Sequence, residues 1–92
     1  MHPPLGDVEI RVLGALFEKA RTTPDSYPLS LNALTNACNQ TSNREPVMSL
    51  AETEVSATVD ALRKRSLVRA IVRSGGGVTK YMHLMDETLG LV

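Results

Sequence analysis

Six cations fall within a short stretch of the chain: Arg63, Lys64, Arg65, Arg69, Arg73 and Lys80, with no Asp or Glu from residue 63 to residue 85. That stretch carries +6, against −4 for residues 1–62 and −2 for residues 86–92, so a formal net charge of zero conceals a basic segment. Guanidinium and ammonium groups gathered without counter-charges attract anions, and phosphate is the anion they suit best. Inside the segment lies Ser74-Gly75-Gly76-Gly77, whose glycines would let the backbone approach a ligand closely. A further cation, Arg44, sits in the polar string Asn39-Gln40-Thr41-Ser42-Asn43-Arg44-Glu45-Pro46. Asn, Gln and Arg read base edges, but they also bond to their own backbone and stiffen loops. The second role is the expectation here.

Other chemistries find little to use. Cys38 is the lone cysteine, so no internal disulfide forms, which fits a reducing cytoplasm. His2 and His83 lie far apart and show no metal-ligand spacing with Cys38. The glycine run lacks the Lys-Ser/Thr ending and following helix of a phosphate loop. The expectation is a chain with no catalytic residues, metal or cofactor. Met1-His2-Pro3-Pro4 has neither the charge nor the apolar run of a signal peptide, and no stretch reaches membrane-spanning length. A cytoplasmic protein without membrane contact is therefore expected.

The elements that must hold these residues can be read from apolar spacing. Ninety-two residues make one domain, and with three aromatics and no Trp its core must be aliphatic. Ile10, Leu13, Leu16 and Phe17 recur at helical spacing and predict a first helix over about 7–20, with Gly6 as N-cap. Gly14 falls mid-helix, where close packing is the expected reason for it. Thr22-Thr23-Pro24-Asp25 stops the chain, and Tyr27-Pro28-Leu29 is extended because Pro28 excludes the α region for Tyr27. Ser30 then caps a second helix over about 31–39, with Leu31, Leu34 and Cys38 inward. Ser49 and Glu52 have capping-box spacing ahead of a third helix that runs to about Arg65, with Val55, Thr58, Val59 and Leu62 inward. Residues 67–73 and 78–84 alternate as two strands about the glycine tip.

This order predicts an α+β winged helix-turn-helix: three helices plus a two- to three-stranded antiparallel wing. The loop between the second and third helices is longer than the usual turn. Several polar strings carry a resemblance. Thr22-Thr23-Pro24, Tyr27-Pro28-Leu29-Ser30-Leu31-Asn32, Ala37-Cys38-Asn39-Gln40, Ser42-Asn43-Arg44-Glu45-Pro46-Val47-Met48 and Val78-Thr79-Lys80-Tyr81 resemble the N-terminal part of the YceH-like family of bacterial proteins. The resemblance implies a cytoplasmic protein with two tandem winged-helix domains. Residues 5–85 would be the first, and 86–92 a tail or the start of a linker to the second.

Two functions fit. The first is a DNA-binding, transcription-regulatory module that contacts duplex phosphates through Arg63, Lys64, Arg65, Arg69, Arg73, Lys80 and Arg44. The second is a protein-interaction or dimerisation module that binds another copy or the second winged-helix domain. Glu52, Glu54 and Asp60 oppose a simple version of the first. A recognition helix usually puts its N-terminal half in the major groove, where carboxylates repel phosphate. Any DNA contact is thereby pushed toward the wing and the C-terminal end of the third helix.

Overall fold

The computed structural model describes residues 4–40, 49–72, 75 and 77–84. Its elements are α1 (Asp7–Thr22), a 3-10 turn (Pro24–Ser26), β1 (Leu29–Ser30), α2 (Leu31–Cys38), α3 (Glu52–Lys64), β2 (Val68–Ile71) and β3 (Lys80–His83). The three strands form one antiparallel sheet in the order β1-β3-β2. Helices and sheet enclose a core of Val12, Leu13, Ala15 and Leu16 from α1, Leu34, Ala37 and Cys38 from α2, and Val55, Val59 and Leu62 from α3, closed by Leu29, Leu67 and Val68. This is the arrangement the sequence predicts, and it is compatible with a winged helix. Among the described residues no helix is long and apolar enough to cross a membrane.

Local chemistry explains the boundaries. Ser30 caps α2, its hydroxyl accepting from the Ala33 amide at 3.2 Å. Helices α1 and α3 start on residues with no capping side chain, Gly6 and Ala51. In each, the Glu three positions on reaches back to that residue's amide: Glu9 Oε1 to Gly6 at 2.8 Å and Glu54 Oε1 to Ala51 at 3.0 Å. The α3 start expected at Ser49 and Glu52 therefore lies two residues further on. At the other end of α3, the Ser66 amide donates to Arg63 and the Leu67 amide to Leu62, both at 3.0 Å. Ser66 takes φ 61°, the left-handed turn where glycine is commoner, and this delivers Leu67 into the core and starts β2.

Three expectations on packing are corrected. Ile10 is 55% exposed, because the buried face of α1 runs through Val12, Ala15 and Leu16. Arg11, one step round the helix, is only 7% exposed and donates from Nη1 to the Cys38 carbonyl at 2.9 Å. A cation there suits the negative end of α2. Gly14 is not a close-packing site: a Cβ built on it would meet nothing within 4 Å. Strand β2 ends at Ile71, leaving Val72 outside the alternation and 72% exposed.

The Asn39 side chain joins the two ends of the long loop after α2. Asn39 Nδ2 donates to the Leu50 carbonyl at 2.9 Å, and its Oδ1 accepts from the Leu50 amide at 2.8 Å. The amide thus mimics a strand partner, the backbone role expected of this string. Residues 41–48, Arg44 among them, lie outside the described residues.

The root of the wing is tied to the helices by Tyr27. Its hydroxyl accepts from the His83 backbone amide at 2.8 Å and shares a hydrogen bond with His83 Nδ1. The His83 ring meets Phe17 edge-on, with centroids 5.0 Å apart. Burial pushes the Tyr27 hydroxyl above its ordinary pKa, which preserves the proton this arrangement needs. The Tyr27–Pro28 peptide is cis.

Candidate nucleic-acid interface

The register assigns the exposed cations to faces. Val68 pairs with His83 and Ala70 with Tyr81, and these face the helices. Arg69 pairs with Met82 and Ile71 with Lys80, and these face outward. Ser30 joins Lys80 on the outer face from β1. Strand β2 is an edge strand, and Arg69 also borders the depression between it and α3.

There Arg69 meets two of the predicted residues. Asp60, Arg63 and Lys64 of α3, with Val68, Arg69 and Ala70 of β2, line an open depression of about 570 Å³. Arg63, Lys64 and Arg69 are all exposed. Arg63 lies 3.7 Å from Asp60 in an exposed pair one helical turn apart. Such a pair contributes only about 0–1 kcal/mol, so an incoming phosphate competes for the guanidinium easily. Three cations against one carboxylate leave the depression net positive.

The remaining predicted residues are elsewhere. Arg65 follows Lys64 directly, yet its side chain is 18% exposed and its Nη1 lies 3.6 Å from Glu9 Oε1, the oxygen that also accepts from Gly6. It clasps the end of α3 to the start of α1. Lys80 is exposed on the outer face of the sheet, but lines a separate groove with Ser30, Asn32, Glu52 and Thr79. Arg73 and Arg44 lie outside the described residues, as do Ser74, Gly76 and the tail 86–92. Of the wing tip, Gly75 and Gly77 are described, at φ 90° and 112°. Both are left-handed, the conformation for which glycine is needed in a tight reversal.

At its other end α3 is acidic for a local reason. Glu54 is held by the Ala51 amide, and Glu52 Oε2 accepts from Asn32 Nδ2 at 3.4 Å. Asn32 in turn accepts from Asn36 at 3.5 Å. These carboxylates satisfy and neutralise the positive end of the helix. The sequence assigns Glu52 a capping-box spacing and these acids a repulsion of phosphate, but not the contacts with Asn32 and Asn36. The four-residue spacing of two asparagines on one helix was the available signal. No signal in sequence joins Tyr27 to His83, 56 residues away.

The pattern of the DUF480 family, described as a protein of unknown function, matches residues 5–92. A UPF0502 protein from Pelobacter propionicus is 57% identical over 92 residues, all of this chain and 42% of its own length. One from Vibrio vulnificus is 59% identical over 88 residues, 96% of this chain and 40% of the relative. One from Marinomonas is 60% identical over 81 residues, 88% of this chain and 37% of the relative. The chain therefore spans about two-fifths of the length of the curated relatives it matches. A match across nearly every residue, at identities well above half, means that this chain belongs to the DUF480 family of UPF0502 proteins.

Proposed function

We propose that this domain is a non-catalytic, DNA-binding regulatory module that grips duplex phosphates with the C-terminal half of α3 and the adjoining strand. The observation that carries the reading is the depression where Arg63, Lys64 and Arg69 converge on the solvent side of two rigid elements. Phosphate contacts of this kind position a protein on a duplex without reading sequence. The capped, acidic start of α3 keeps that end away from the backbone, so base readout by its first turn is not part of the proposal. Lys80 and, beyond the described residues, Arg73 would add contacts from the wing.

Fluorescence anisotropy with a random-sequence duplex tests this. Three phosphate contacts give a log–log salt slope of about −2.7, or roughly a 40-fold loss of affinity between 50 and 200 mM salt. The combined R63E, K64E and R69E variant should not bind at low salt. Absence of low-salt binding by the parent, or binding untouched in the variant, would overturn the reading. A full-length relative should bind more tightly if its other part also touches DNA, because linked modules gain effective concentration.

A second reading has its own support. Ile10, Val72 and Val78 are exposed, at 55%, 72% and 65%. Apolar side chains in solvent favour a protein-interaction module that meets another copy or the remaining part of the longer relatives. A stable dimer by light scattering, together with no duplex binding, would favour this reading over the first.

A further inference from the structure

We propose that the outer face of the sheet, beside the wing tip, is a binding site for a small amphipathic carboxylate. The site is a concavity of about 470 Å³ lined by Tyr27, Pro28, Ile71, Gly77, Val78 and Lys80. That volume lies within the range of about 300–1,000 Å³ typical of small-molecule clefts. The inference goes beyond duplex binding and does not depend on it.

The lining defines the ligand. Tyr27, Pro28, Ile71 and Val78 supply the apolar part of the lining. Val78 is 65% exposed, so an apolar tail gains area by covering it. The Tyr27 hydroxyl is already engaged by the His83 amide and ring, so Tyr27 contributes carbon surface to the site rather than its polar end. Lys80 is the lone charged residue among the described residues that line the site, and no carboxylate faces it there. One ammonium matches one monoanion. The matching class is a free monocarboxylate with a medium aliphatic chain or a single aromatic ring.

Position explains why the site exists at all. β1 is only two residues long, so beyond it the Tyr27–Pro28 segment stands beside the sheet rather than continuing the ladder. Gly77, at φ 112°, leads the chain back toward β3, and both it and Val78 line the site. The result is a trough walled on two sides, built from residues that the fold already fixes.

The test uses this chain in ¹H–¹⁵N correlation spectra titrated with octanoate, and with octanol as the uncharged control. Expected are saturable shifts confined to Tyr27, Ile71, Gly77, Val78 and Lys80, with dissociation on the order of 1 mM for a ligand of this size. Octanol should bind about tenfold more weakly, and Lys80→Met should weaken octanoate by about the same factor while leaving octanol unchanged. Val78→Asp should abolish both. Lys80 and Val78 are exposed, so these variants fold, and their unchanged remaining spectra verify it. The proposal is overturned by non-saturable or absent shifts, by shifts centred on Arg63 and Arg69 instead, by equal binding of octanol, or by octanoate binding unaffected in Lys80→Met. None of these results depends on whether the domain binds DNA.

Discussion

Helices α1 and α3 begin alike and use their cations in opposite ways. Each starts on a residue with no capping side chain and recruits a Glu at the third position to hold the first amide. In α1 the central cation, Arg11, is buried and spends its guanidinium on the end of α2. In α3 the cations fall in the last turn or just beyond, and all but Arg65 stay in solvent. The contrast teaches that the charge of a segment does not locate an interface. What locates it is which cations remain after the fold has taken those it needs.

The comparison breaks first at Arg11. If its charge is structural, Arg11→Ala removes a buried, charge-assisted hydrogen bond and the packing of the side-chain stem, and should cost about 2–3 kcal/mol in urea denaturation. Duplex affinity of the folded fraction should not change. A cost below about 0.5 kcal/mol would place Arg11 with the surface cations instead.

Two residues sit in each other's natural place, and exchanging their chemistry sharpens the contrast between the helices. Gly14 lies mid-helix in α1 with open space where a Cβ would stand. Gly14→Ala should stabilise by about 1 kcal/mol, read as a raised melting temperature. Ser66 ends α3 at φ 61°, where glycine is unstrained. Ser66→Gly should stabilise by about 0.5 kcal/mol, less than Gly14→Ala, because relief of strain is partly offset by a more flexible unfolded chain. Equal or reversed gains would mean that one of the two backbones is not as described.

Much of the fold was legible because its signals are local. The spacing of Leu34 and Cys38, and of Val55, Val59 and Leu62, marks helices whose inner faces the structure confirms. Ser30 and the glycine tip are punctuation with a direct mechanical reason. What escaped was decided between elements. On α1 Leu13 and Leu16 are inward as their spacing predicts, but Ile10 is not, and the burial of Arg11 has no local signal. Which helix lies beside position 11 is a tertiary fact. The candidate site divided in the same way. Arg63, Lys64 and Arg69 follow from the charge run, but the pairing that withdraws Arg65 depends on Glu9, distant in sequence and brought alongside by the fold.

Neighbouring residues Lys64 and Arg65 provide the finest form of the comparison. They share charge, position and sequence context, and differ only in surroundings: one lines the open depression, while the other is held by Glu9. Arg65→Met should cost about 0.5–1 kcal/mol of stability, since a largely enclosed ion pair is lost while the side-chain volume is kept. Lys64→Met should change stability by less than about 0.5 kcal/mol, as exposed substitutions do. On a duplex the order should reverse. Removing one phosphate contact flattens the salt slope by about 0.9 in Lys64→Met and leaves it unchanged in Arg65→Met. Melting curves and salt titrations on the same two variants therefore read opposite rankings if the fold has already claimed Arg65. If both variants flatten the slope equally, Glu9 releases Arg65 to the duplex, and the boundary between structural and available cations lies one residue further along the chain.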